Sequence, residues 1–202
     1  MKYLFTIAAA ALLTVGAKAQ SVSVRAGANF SNIIKTGDSN FSTDFKPGFH
    51  AGLGIDIPIV PAFSFAPEIL YSQKGYKVDY SSALVGETKY SVTTNFIDVP
   101  ILAKFKSGGF NLHLGPQVSF LTSTTESWDS GSQQYRETIK EDNSNLKKSI
   151  ISGVVGLGID VSPKVSFIGR YALDFQKNNE NGDSETPEYK NQVIQVGLGI
   201  RL

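Results

Sequence analysis

The chain has 202 residues and a formal net charge of +1, enough for one sizeable all-β domain or two small ones, with no strong field pointing to nucleic acid or an acidic partner. It contains no cysteine, which excludes a disulfide framework and cysteine-based zinc or redox chemistry. No apolar run reaches the roughly 18 residues of a mature spanning helix.

The first stretch, MKYLFTIAAAALLTVGAKAQ, has a charged start at Lys2, an apolar centre from Leu4 to Val15 and an A-x-A site at Ala17-Lys18-Ala19. That order is a secretory signal peptide over 1–19, leaving one exported domain over 20–202. Eight strands are expected after it, at roughly 22–32, 46–57, 63–75, 90–106, 110–122, 149–161, 165–176 and 190–202. The connections 58–62, 107–109 and 162–164 are tight turns rich in Pro, Gly and Ser. The connections 33–45, 76–89, 123–148 and 177–189 are long, polar and poor in aliphatics. Short turns at one end and long loops at the other is the asymmetry of bacterial outer-membrane barrels, with the short turns periplasmic.

The faces of the strands carry more information than the loops. In the closing stretch VIQVGLGIRL, Ile194, Val196, Leu198, Ile200 and Leu202 alternate with Gln195, Gly197, Gly199 and Arg201. The same phrase recurs at Gly52-Leu53-Gly54-Ile55-Asp56 and Gly156-Leu157-Gly158-Ile159-Asp160, each time with large aliphatics opposite glycines and a charge. A soluble sandwich or a lipocalin places its large residues inside; here they fit the outside. Tracks such as Val22-Val24-Ala26-Ala28-Phe30 and Ile151-Gly153-Val155-Leu157-Ile159-Val161 carry no charge. The opposite tracks hold Arg25, His50, Asp56, Glu68, Asp98, Lys104, His113, Asp160, Arg170, Asp174 and Arg201. A charge on a lipid face costs roughly 2–4 kcal/mol at the midplane, so a membrane demands this segregation. Phe63, Phe65, Phe105, Phe110 and Phe167 near the short turns, and Tyr71, Phe120 and Phe175 toward the long loops, fit two interfacial girdles. The fold expected is all-β: an eight-stranded antiparallel up-and-down transmembrane β-barrel.

The phrases VRAGANFSNI (24–33), FAPEILYSQKGYKV (65–78), FIDVPILAKF (96–105), LHLGPQVSFL (112–121) and VGLGIRL at the end resemble the PorT-like outer-membrane β-barrel family, of Bacteroidota type. The resemblance runs from about residue 20 to the end of the chain. It implies an eight-stranded barrel in the outer membrane. A monomer without cofactor is expected, and the net charge gives no sign of a nucleic-acid partner. Its surroundings would be outer-membrane lipid and lipopolysaccharide, with the barrel-assembly machinery as partner during insertion. PorT itself is linked to gliding and type IX secretion, so an accessory role in envelope machinery is one alternative. No peptidoglycan-binding domain is expected after the last strand. Pro67, Pro100 and Pro116 fall inside expected strands, where proline removes a ladder donor, and the resemblance implies bulges or strand ends at them.

Eight strands enclose a space that inward side chains fill, so a wide diffusion pore is not expected. The inward charges, with Arg25, His50, Glu68, Asp98, Lys104, Arg170 and Asp174 as the candidate interior network, read as a paired plug, because isolated buried charges are very costly. A proton or ion path, or a ligand site, is the competing reading. Asp56, Asp160 and Arg201 fall near the periplasmic rim, where solvent is expected to reach them. His50 and Ser72 lie at similar height and raise a lipid-modifying hydrolase as a further alternative, although both point inward by parity. No phosphate loop, metal spacing or nucleophile elbow is present. The loop 123–148 holds Trp128 and Tyr135 among mixed charges and is a place for an extracellular ligand, its identity open. The acidic loop 177–189 lacks the ordered spacing of a calcium loop. The function expected is thus a non-enzymatic small barrel with a plugged interior and loops for surface interaction.

Overall fold

In hydrocarbon every backbone N–H and C=O must find its partner within the chain, and strands meet that demand only by closing on themselves. The computed structural model describes residues 20–35, 43–82, 86–130, 133–139, 146–179 and 188–202. The segment read as a signal peptide lies outside the described residues. The described strands are β1 (Ser21–Lys35), β2 (Asp44–Val60), β3 (Phe63–Ser82), β4 (Gly86–Ser107), β5 (Phe110–Ser130), β6 (Gln133–Ile139), β7 (Ser149–Asp160), β8 (Val165–Asp174) and β9 (Tyr189–Arg201). They form one antiparallel sheet in the order β4-β3-β2-β1-β9-β8-β7-β5-β6, and a β4–β5 ladder closes it. The closed ring is therefore β1-β2-β3-β4-β5-β7-β8-β9, eight strands, with β6 outside it.

The expected polarity of the faces holds around the ring. On β9, Ile194, Val196, Leu198 and Ile200 are exposed, while Asn191, Val193 and Gln195 are buried. On β7 the odd residues Ile151, Val155, Leu157 and Ile159 are exposed and Ile150, Ser152 and Val154 are buried. The exposed large apolar residues form a belt from Val22 on β1 to Ile200 on β9. Phe63 and Phe105 stack at the short-turn end with ring centroids 5.1 Å apart, and Phe49 and Tyr71 meet at 5.7 Å.

Two departures from the sequence expectation stand out. The segments 76–89 and 123–148, expected as loops, are largely strand: β3 runs to Ser82, β4 starts at Gly86, β5 runs to Ser130, and β6 pairs with it. Past the lipid belt the outward track no longer carries large aliphatics, so the apolar alternation that marks a spanning strand fades while the ladder continues. The register steps once on the way, between Asn95 and Phe96, where Thr122 is the extra residue and donates its hydroxyl to Asn95 O at 2.9 Å. The second departure concerns the prolines. Register is unchanged on either side of each: Pro67 pairs Ile101 and the ladder resumes at Leu70–Asp98, and Pro100 pairs Gln117 and resumes at Ala103–Leu114. Pro116 pairs Gly153 in an unbroken β5–β7 ladder.

A charge placed on the belt tests this orientation. Val196→Arg, at an outward site on β9 that is 52% exposed, should cost roughly 2–4 kcal/mol in denaturant unfolding from lipid vesicles. The unaltered protein from isolated outer membranes should run as a compact band that shifts when boiled in detergent.

Candidate functional site

The lumen is built by the inward tracks, and its first requirement is space. Gly27, Gly54, Gly156 and Gly158 all face inward, and each leaves a volume that a large polar side chain occupies. A Cβ on Gly156 would stand 2.5 Å from His113 Nε2 and 2.7 Å from Arg170 Cγ. One on Gly158 would stand 2.6 Å from the Asn111 amide, one on Gly27 would stand 2.7 Å from His50 Cε1, and one on Gly54 would stand 3.0 Å from Arg25 Nε. The repeated Gly-x-Gly phrase is thus the negative imprint of the polar filling.

That filling is a set of linked clusters. Arg170 on β8 donates from Nη1 and Nη2 to the two carboxylate oxygens of Glu68 on β3, both at 2.7 Å. In the ring β3 and β8 stand four strands apart, so this bidentate pair crosses the lumen from wall to opposite wall. Arg25 Nε lies 3.2 Å from Glu68 Oε1, an ion pair by distance whose alignment is too poor for a hydrogen bond. Arg170 Nε donates to His113 Nε2 at 3.0 Å. Because arginine only donates, His113 Nε2 carries the lone pair, and Nδ1 holds the proton toward Asn111 Oδ1 at 3.2 Å.

Toward the periplasm, Lys104 and Lys106 both place Nζ 3.0 Å from Asp56 Oδ2. Asp56 is 5% exposed, so the expectation that it is solvated at the rim is corrected: two lysines from β4 fold over it. Asp160 and Arg201 are only half-buried; Asp160 accepts from Ser166 Oγ, and Arg201 Nη1 donates to Pro163 O. A polar recess of about 10 Å³, lined by Ser23, Arg25, Asp56, Lys104 and Arg201 among others, has room for about one water.

Toward the outside, Lys74 Nζ donates to Asp98 Oδ1 and to Ser119 Oγ, both at 3.0 Å, and lies 4.7 Å from the centre of the Phe96 ring. Asn29 organises a neutral cluster: its amide donates to Ser72 Oγ, Phe49 O and Gln73 O, and its Oδ1 accepts from Gln195 and from His50 Nδ1–H at 2.7 Å. Asp174 has hydroxyl, amide and backbone donors in place of a cation, from Ser152 Oγ, Asn178 Nδ2 and Asn191 N. Between these clusters Ala66, Leu102, Val154, Ala172 and Val193 form a small apolar layer.

Above the lumen β3, β4, β5 and β6 continue as a four-stranded sheet. Val78, Tyr90, Trp128 and Tyr135 fall in one register row across it. On its inner side Val78 and Val92 are buried together with Ile33 and Tyr189, and Tyr76 meets Tyr189 edge-on at 5.7 Å.

These features, a closed ring of eight strands with an apolar outside and a charged inside, agree with comparison against known proteins. Residues 18–179 match the family described as outer membrane protein beta-barrel domain. The chain belongs to that family. Its members' place is the outer membrane, and the belt of exposed aliphatics is the lipid-facing surface of this outer-membrane barrel. Among solved structures, Neisserial surface protein A is similar at 14% identity with a TM-score of 0.51, covering 92% of this chain and 100% of that one. The attachment invasion locus protein of Yersinia pestis, in complex with the heparin analogue sucrose octasulfate, is similar at 11% identity with a TM-score of 0.50, covering 91% and 99%. The outer membrane protease OmpT of Escherichia coli is similar at 11% identity with a TM-score of 0.45, covering 91% and 94%. No curated protein matches the chain.

Of the seven residues singled out for the interior network, the barrel brings Arg25, Glu68 and Arg170 together and sends Lys104, Asp98, His50 and Asp174 to separate clusters. Lys74, 2% exposed, was not among them. It lies on the same even track as Glu68 and Ser72, one residue from the expected end of its strand, so parity alone points to it. With Lys74 the buried charges balance: Asp56, Glu68, Asp98 and Asp174 against Arg25, Lys74, Lys104 and Arg170.

Removing one member should cost more than the pair is worth, because two guanidiniums would stay buried without their carboxylate. Glu68→Gln should lower stability by about 3–5 kcal/mol in denaturant unfolding. Replacing Arg25, Glu68 and Arg170 together by apolar residues of similar volume should recover most of that loss.

Proposed function

We propose that this small outer-membrane barrel is a closed, non-enzymatic scaffold whose outward work is done by the raised sheet of β3–β6. The observation that carries the reading is the Arg170–Glu68 pair spanning the lumen, flanked by the Lys104–Asp56 and Lys74–Asp98 pairs: a barrel barred at three clusters by buried charge does not serve as an open pore. What is left for interaction is the extension above the membrane, where the ladder of β3–β6 continues past the lumen. Loops and extensions mounted on a rigid scaffold are where recognition commonly sits. The Yersinia pestis neighbour is named for attachment and was crystallised with a heparin analogue; at 11% identity that likeness is one of fold.

The hydrolase alternative draws no support from its residues. Ser72 is fully buried, and its hydroxyl accepts from the Asn29 amide, whose Oδ1 accepts the hydrogen bond from His50 Nδ1–H. No geometric feature favours a role in secretion or gliding.

Reconstitution in planar bilayers tests the closed state. The protein should show no sustained conductance, and Glu68→Ala should introduce openings. A steady open channel in the unaltered protein would overturn the reading. Lipid A acyl patterns that change on Ser72→Ala would overturn its non-enzymatic part.

A further inference from the structure

The lipid-facing belt of large side chains is interrupted beside β7. Between β5, β7 and β8 the outward track contains Pro116 and Gly153 where its neighbours carry large aliphatics, and the surface there sinks into a cleft of about 600 Å³. Leu114 forms one wall, Tyr171, Leu173 and Phe175 the other, and the lining is almost wholly apolar. The Phe175 ring leans into the notch, so that a Cβ on Gly153 would meet Phe175 Cζ at 2.5 Å.

Two consecutive lysines stand above this cleft. Lys147 and Lys148 immediately precede β7 and are fastened over the same three strands. Leu121 N on β5 donates to Lys148 O at 2.9 Å, and Lys147 N donates to Asn178 O, beyond the end of β8, at 2.8 Å. Lys148 is exposed and Lys147 half-exposed. Neither forms an ion pair with a described residue.

The depth also fits. From Lys148 to Gly153 is five residues of strand, about 17 Å at ~3.4 Å per residue. At a tilt of about 45° that is roughly 12 Å of depth, half of the ~25 Å apolar band of an outer-membrane barrel. With Lys148 at the headgroup level, the cleft falls in the outer leaflet, one acyl-chain depth below the two lysines.

We propose that this face is a binding site for a phosphorylated, acylated glycolipid of the outer leaflet, with one acyl chain in the β5–β7–β8 cleft and its phosphate against Lys147 and Lys148. The apolar walls take the chain, and basic residues at the lipid surface attract the anionic headgroup. This goes beyond general contact with lipid: it names one side of the barrel, one leaflet and a headgroup charge. It rests on the barrel fold and not on the closed-scaffold reading, which bilayer conductance tests separately.

The test is a titration of the purified full chain in detergent with monophosphoryl lipid A, read by native mass spectrometry, using variants that first pass the heat-shift check. Lys147→Ser with Lys148→Ser should weaken binding about tenfold or more, as two basic residues at a lipid surface imply. The dephosphorylated lipid should bind the unaltered protein as weakly as the phosphorylated lipid binds that double variant. Gly153→Leu should push the Phe175 ring from its notch into the cleft and abolish the adduct. Leu173→Trp narrows it from the β8 wall and gives a second reading should Gly153→Leu fail to fold. Gly169→Leu adds the same bulk to the lipid face where a new Cβ meets nothing within 4 Å, and should bind normally. Unchanged binding in the cleft variants, or affinity indifferent to the phosphate, would overturn the proposal and reduce the contact to an ordinary lipid annulus.

Discussion

The Glu68 carboxylate is the point on which the inside of this protein turns. It accepts both terminal nitrogens of Arg170 from the far wall and stands beside Arg25 from a nearer one, so three strands that are not neighbours in the ring are tied through it. A charge cluster of that size needs room, and an eight-stranded barrel has little. The glycines of β1, β2 and β7 supply it. Their lost side chains are compensated by side chains arriving from across the lumen, which explains why the Gly-x-Gly phrase recurs on the inward face only. Buried ion pairs of this kind contribute less to stability than to uniqueness of arrangement, since removing one partner is far more damaging than never having had the pair. The small apolar layer of Ala66, Leu102, Val154, Ala172 and Val193 divides this filling without weakening it.

Much of this was legible in the residues because membrane and lumen impose opposite demands on alternate positions. Parity alone assigned Arg25, Glu68, Lys104 and Arg170 to the inside, and the turn composition around 58–62, 107–109 and 162–164 set the strand order. Partners were another matter. Arg170 and Glu68 are separated by 102 positions, and their meeting depends on the stagger of the whole ring, which no local pattern encodes. Asp56 looked like a rim residue because its strand ends soon after it; the chains of Lys104 and Lys106, long enough to reach back, bury it. The raised sheet was missed for a different reason. Past the lipid belt the outward track carries Lys77 and Ser91 in place of large aliphatics, and the alternation that betrays a strand dies out even though the ladder continues. Likewise nothing in the sequence marked Gly153 as the floor of a cleft, because a notch exists only relative to the side chains that flank it on two other strands.

The outside and the inside therefore carry different kinds of information. The lumen is filled with paired and hydrogen-bonded polar side chains. The exterior is uneven: β3 to β6 extend beyond the lumen on one side, while the described β7 to β9 are shorter, with the apolar cleft on the outer face of β5, β7 and β8. The barrel has a front and a back in the plane of the membrane.

The pairing of β1 with β9 has a bearing on how such a molecule comes into being. Thirteen register pairs join Ser23–Lys35 to Tyr189–Arg201, the two ends of the described chain. Contacts so distant in sequence are slow to form, because the whole intervening loop must be gathered before any of them is gained. Until the last strand arrives, β1 presents an open edge that hydrocarbon cannot satisfy and that any other extended chain could occupy. The seam thus acts as a checkpoint on completeness: a chain cut short by a single strand would not be a slightly weaker barrel but an open sheet with nowhere to reside.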